Sequence, residues 1–121
     1  KYVKYNSGSG PVAAVAGNMA YYHGDDSIAD GVCEVTSDLS DSANLAAGML
    51  MSAIPNGYYG WIQTKGVATL TTALTAGSDG QALTAAGSTD GTLDVSAAAT
   101  DAVCAVALDV SAKIVLLDCP W

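Results

Sequence analysis

Met49-Leu50-Met51-Ser52-Ala53-Ile54-Pro55-Asn56-Gly57-Tyr58-Tyr59-Gly60-Trp61-Ile62-Gln63-Thr64-Lys65 is the stretch that decides the fold class. Apolar and aromatic runs flank Pro55-Asn56-Gly57, and Asn-Gly supplies the positive φ values that a tight turn between strands needs. The stretch reads as a β-hairpin. Downstream of Gly66, Val67-Ala68-Thr69-Leu70-Thr71 is another strand-like run with a Thr-rich face. Then Ala73-Leu74-Thr75-Ala76-Gly77-Ser78-Asp79-Gly80 recurs, slightly lengthened, as Ala82-Leu83-Thr84-Ala85-Ala86-Gly87-Ser88-Thr89-Asp90-Gly91. A repeat that short has the rhythm of strand plus turn in a meander. Two strongly apolar runs close the chain, Ala102-Val103-Cys104-Ala105-Val106-Ala107-Leu108 and Lys113-Ile114-Val115-Leu116-Leu117-Asp118, and these are expected at the centre of the core.

Upstream the signals are weaker. Residues 3–22 hold short apolar runs broken by Gly8-Ser9-Gly10-Pro11 and Gly17-Asn18, spacings too short for a helix, and read as an extended arm leading into one or two short strands. Gly31-Val32-Cys33-Glu34-Val35-Thr36 looks like a strand. Ser37-Asp38-Leu39-Ser40-Asp41-Ser42 can cap a single helical turn through its side-chain oxygens. The Ala-rich residues 95–101 are the other place for a helical turn. No segment sustains a 3.6-residue period over three turns, so the expected class is all-β, a small β-barrel or two-sheet β-sandwich with an extended N-terminal arm. Residues 1–20 are expected to form the arm and first short strand, and residues 21–121 a single β domain.

The 121 residues suit one domain and argue against a two-lobed enzyme with a cleft. Half are hydrophobic, yet much of that content is Ala and Phe is absent. The core is therefore thin, and a partner surface or oligomerisation is expected to help it. Twelve acidic residues face four lysines, a formal charge of −8. That balance excludes nucleic acid, whose binding needs Lys and Arg on phosphates, and it disfavours an anionic membrane surface. No uncharged run approaches the roughly 20 apolar residues of a membrane span. No signal-peptide core follows Lys1-Tyr2-Val3-Lys4-Tyr5, and a soluble protein is expected.

Candidate chemistry is sparse. Cys33, Cys104 and Cys119 form no CxxC and have apolar neighbours, as buried reduced thiols do, although one disulfide is open to them. His23 alone completes no Cys/His metal set. Asp25-Asp26 on extended backbone point to opposite faces, which is unsuited to paired acid and base work. The acids of residues 25–41 read as a solvated loop system. No Gly-x-Ser-x-Gly occurs, and the Gly8-x-Gly10 and Gly77-x-x-Gly80 fragments lack the Lys-bearing helix start of a phosphate loop. Asp79-Gly80 and Asp90-Gly91 offer hard oxygens for calcium, but without EF-hand spacing they fit turn chemistry better. The reading is a non-enzyme with no catalytic, cofactor or metal residues and no small-molecule substrate. What remains is aromatic. Tyr58, Tyr59 and Trp61 can replace the missing Phe in the core or face a partner. Tyr2, Tyr5 and Trp121 lie at chain ends, which stay unordered unless something docks them. These six are the candidate interface residues.

From Gly48 to Gly66, and above all in Tyr59-Gly60-Trp61-Ile62-Gln63-Thr64-Lys65-Gly66, the chain resembles a motif of tailed-bacteriophage head proteins, in which a turn and a Tyr-Gly-Trp-[Ile/Val]-Gln-x-x-Gly strand precede a variable meander. Ala105-Val106-Ala107-Leu108-Asp109 is similar to a later strand of that family and Ile114-Val115-Leu116-Leu117 to its last. The resemblance covers residues 45–119. It implies a capsid decoration, or cement, protein on the outer surface of the virion, a small β module without catalytic residues that binds the major capsid protein and reinforces contacts between its subunits, as a homo-oligomeric trimer or dimer. Its rival is a calcium-assisted subunit of an extracellular or cell-surface β-assembly, pilus-like or S-layer-like.

Overall fold

The computed structural model describes residues 1–24, 33–85 and 87–120. Among them lie ten strands: β1 (Tyr2–Tyr5), β2 (Met19–His23), β3 (Glu34–Thr36), β4 (Ser42–Leu50), β5 (Tyr59–Gln63), β6 (Lys65–Thr69), β7 (Ala82–Thr84), β8 (Asp94–Val95), β9 (Val103–Asp109) and β10 (Ile114–Asp118). The class is all-β, as expected. Strands β1-β3-β2-β4-β5 close into a barrel, and β6-β10-β9-β7-β8 form a second, open sheet. Among the described residues no helix is long and apolar enough to cross a membrane.

The barrel and the sheet share a wall. In β2, Met19-Ala20-Tyr21-Tyr22 is buried throughout because each face meets a different core. Ala20 and Tyr22 point into the barrel with Val3, Tyr5, Val35, Leu50 and Ile62. Met19 and Tyr21 point the other way, packing with Leu83, Val115 and Leu117 of the open sheet and with Leu93 just before β8. On β4, Ala46 and Ala47 divide between the same two cores. Alternation of side chains along a strand makes this possible, and the many alanines let the layers approach closely.

The hairpin forms: β4 and β5 pair antiparallel with Met49 opposite Gln63 and Leu50 opposite Ile62. Its connection is wider than a tight turn, residues 51–58, although the Tyr58 amide bonds the Pro55 carbonyl at 3.0 Å and Gly57 takes φ +82°. Strand β4 starts at Ser42 because its first half pairs with β2. The closing runs are β9 and β10, paired antiparallel. A single 3-10 turn, Leu39–Asp41, is capped by Asp38.

Three expectations need revising. The first copy of the echo makes no strand. Only the second, as β7, finds partners on both sides, in β8 and β9. Residues 95–101 hold β8's end and a turn in which the Asp101 carboxylate accepts the Ala97 and Ala98 amides. The N-terminal segment is extended but does not project. Strand β1 is part of the barrel wall, antiparallel to β5 (Tyr2 opposite Trp61) and parallel to β3 (Lys4 opposite Glu34). Of the expected strand at residues 31–36, residues 34–36 form β3, and 31–32 lie outside the described residues.

Asp38 fastens the Gly8-Ser9-Gly10 loop. Its buried carboxylate accepts the Gly10 amide at 2.9 Å, the Ser40 amide at 3.0 Å and the Ser40 hydroxyl at 2.6 Å. The Ser40 hydroxyl first, and the Gly10 amide next, hold this carboxyl below its ordinary pKa. A carboxyl that is more acidic folded than unfolded contributes stability fully above its unfolded value and loses it as pH falls through the lower folded value. An acid titration of the melting temperature is therefore expected to drop below about pH 4, and Asp38→Asn is expected to lower stability at neutral pH and shrink that drop.

Candidate interaction surface

Strands β1 and β5 each present one face to the barrel core and the other to solvent. Val3, Tyr5, Gly60 and Ile62 are inside, and Tyr2, Tyr59 and Trp61 are outside. Because Tyr2 lies opposite Trp61 in the ladder, the outward rings meet. Tyr2 and Tyr59 stack with centroids 5.7 Å apart at 19°, and Tyr2 and Trp61 lie 5.1 Å apart at 52°. Met51 extends β4 by one residue, its amide bonding the Trp61 carbonyl at 3.1 Å, so a row Met51, Trp61, Tyr2 crosses three strands. Lys4 beside Tyr59 is paired with Glu34 at 3.4 Å. Tyr58 stands at the start of β5. Met51, Tyr2, Tyr58, Tyr59 and Trp61 are each more than half exposed.

The structure thus gathers Tyr2, Tyr59 and Trp61 on one outer wall, with Tyr58 exposed beside it. It removes Tyr5 from the surface set: Tyr5 is wholly buried, one position out of phase with Tyr2 and Lys4, and its hydroxyl donates to the Val12 carbonyl at 2.8 Å while accepting the Ser37 amide at 3.2 Å. Burial pushes its phenol pKa up, so the hydroxyl keeps its proton for that bond. Trp121 lies outside the described residues. Sequence reasoning left out Met51, whose exposure follows from its being one residue past buried Leu50 in the same alternation.

Side chains of this size carry on the order of 200 Å² each, so five of them half exposed offer on the order of 500 Å² of largely apolar surface. At about 25 cal/mol per Å² that is roughly 12 kcal/mol gross, against an association cost of about 4–15 kcal/mol. A single copy would bind weakly to moderately. A patch of this extent matches the largest apolar patch of a typical monomer, which is often functional, and Trp and Tyr are enriched among binding hot spots.

Other candidate chemistry is occupied by structural work. The Gly10 amide goes to Asp38 and the Ser9 amide to Asp41, so the loop that resembles a phosphate-loop fragment already holds carboxylates. The carboxylates of Asp79 and Asp90 accept the Val110 and Leu39 amides. Among the described residues no three His, Cys, Asp or Glu side chains converge as a metal site, and Asp25 and Asp26 lie outside those residues. His23 lines a shallow depression with Ser40 and Ser42, whose hydroxyls donate to Asp38 and to the Leu39 carbonyl. Cys104 and Cys119 are buried free thiols, and Cys33 is a half-buried one. On the outer face of the open sheet, Val67, Leu116 and Val106 form a second, aliphatic row across β6, β10 and β9. Against protein-family models, characterised proteins and solved structures, the chain has no match.

Proposed function

We propose that this chain is a structural virion protein, a capsid decoration protein that binds the outer surface of a tailed-phage head and stabilises contacts between major capsid proteins. The observation that carries the reading is the exposed aromatic wall of β1 and β5. It is built from the Tyr-Gly-Trp-Ile-Gln stretch in which the chain resembles phage head proteins, and the charge pair beside it, Lys4 with Glu34, is neutral overall. The remaining surface is acidic, which keeps copies soluble and indifferent to packaged DNA. Weak single contacts suit a lattice, where homo-oligomeric copies around a local symmetry axis bind many sites at once.

The test has two stages. In virions purified by density gradient, the chain is expected at a copy number comparable to the major capsid protein. Its absence there ends the proposal. Heads stripped of the chain are then incubated with purified protein. The double variant Tyr59→Ser with Trp61→Ser is expected to stay folded with a loss of about 1–2 kcal/mol, because both rings are exposed and what they lose within the chain is their contact with Tyr2. Its retention on heads should fall at least about 30-fold, the loss of hot-spot side chains worth about 2 kcal/mol or more.

A further inference from the structure

We infer that the free edge of β6 is a latent self-association surface that the Gln63 side chain holds shut. The open sheet has two edges, β6 and β8. An unpaired strand edge is a template for another strand, and folded proteins blunt such edges. Edge β8 is only two residues long, and the Asp94 carboxylate accepts the Val95 amide at 2.7 Å. Edge β6 is longer. The Thr64 carbonyl accepts the Cys119 amide and the Leu70 amide donates to the Lys113 carbonyl, so even-numbered residues of this strand turn their polar groups towards β10. The odd ones, Lys65, Val67 and Thr69, turn theirs outward.

Those outward groups are not left open. Gln63 Nε2 donates to the Lys65 carbonyl at 3.0 Å and to the Val67 carbonyl at 3.0 Å, one amide group spanning two successive acceptors. Beyond Thr69 the edge ends where the Thr71 amide and hydroxyl bond the Gly17 and Ala16 carbonyls. The occupant that fits the three-residue edge is a second copy of it. In an antiparallel pairing centred on Val67, Val67 meets Val67 of the second copy and Lys65 meets Thr69, so no like charges face each other. The Lys65 ammonium is already neutralised by Asp118. The aliphatic row of Val67, Leu116 and Val106 would continue unbroken from one sheet into the other. With Gln63 in place, two of the three carbonyls that this pairing needs are taken.

The experiment is light scattering on the full chain after size exclusion, from micromolar to millimolar concentration, with the wild-type mass as baseline. Gln63→Met keeps the length and bulk of the side chain and removes its donors. It is expected to double the wild-type mass in a concentration-dependent way. Val67→Pro added to it removes an outward amide and the valine side chain that would meet its copy, a change an edge strand tolerates, and is expected to restore the wild-type mass. Gln63→Asn, too short to span both carbonyls, is read by the same criteria if the methionine variant does not fold. A mass that stays at the wild-type value at millimolar concentration, or a doubling that Val67→Pro leaves in place, overturns the inference. Head binding is read separately, through Tyr59 and Trp61, which none of these variants changes.

Discussion

Gly48→Ala is expected to cost about 4 kcal/mol or more and to lower the melting temperature by at least about 12 °C. Gly48 sits in β4 where the barrel closes against β5, beside the Met49–Gln63 pair. A Cβ there would lie 2.4 Å from the Gln63 carbonyl oxygen and 3.3 Å from Ile62 Cδ1. The first of these is backbone and cannot swing aside, so the two strands must separate and break the ladder that closes the barrel. Gly57→Ala is the matched control. Gly57 also has a positive φ, +82°, but nothing lies within 4 Å of its missing Cβ. Only the backbone penalty remains, about 1–2 kcal/mol. Thermal unfolding of both variants, followed by circular dichroism, separates close approach from conformational strain. Equal losses in the two would show that the barrel seam has room that the structure denies.

Tyr21→Ala is expected to be nearly as damaging, about 3–5 kcal/mol, because it empties the core between barrel and sheet. Tyr21 is wholly buried on the β2 face that looks towards Leu83, Leu93 and Leu117. Its hydroxyl donates to the Thr92 carbonyl, in the segment that leads into β8. Burial pushes the phenol pKa far up, so that the hydroxyl remains a donor at any working pH. Tyr21→Phe keeps the ring and strands a buried carbonyl, which should cost about 1–3 kcal/mol. The difference between the two variants divides the contribution of Tyr21 into ring and hydrogen bond. If Tyr21→Ala loses no more than Tyr21→Phe, the sheet is not packed on the barrel through this ring.

What was legible in the chain depended on how local its cause was. Strands β9 and β10 announce themselves because they are unbroken apolar runs joined by a short turn, and the β4–β5 hairpin because Asn56-Gly57 interrupts two apolar stretches. The barrel was legible only as one of two alternatives. Its closure rests on β1 pairing with β3 and β5, residues far apart in sequence with no turn chemistry to connect them. The echo at residues 73–91 misled for a related reason: similar residues become strand only where a partner edge waits, and only the second copy has one. Among the aromatic residues, Trp61 and Tyr59 could be named from their clustering. Tyr5 was misplaced because its closeness to the chain end outweighed the alternation Tyr2-Val3-Lys4-Tyr5, which sets Tyr2 and Tyr5 on opposite faces. Gln63 was legible as a fixed position of the motif but not for its role, which is to reach carbonyls that only the folded β6 presents.

The parallel junction of β1 with β3 and its antiparallel junction with β5 bear on how the protein is made. Of the barrel's five strands, β1 leaves the ribosome before the others, and Trp61, opposite Tyr2, follows only after β2, β3 and β4. Until β5 is out, β1 can pair with β3 alone, and closing the ring waits on a non-local contact that is slow to form. Tyr5 and Val3 then lack their β5 neighbours until that strand emerges, and the joint that closes the barrel unites its first-made strand with its last-made one.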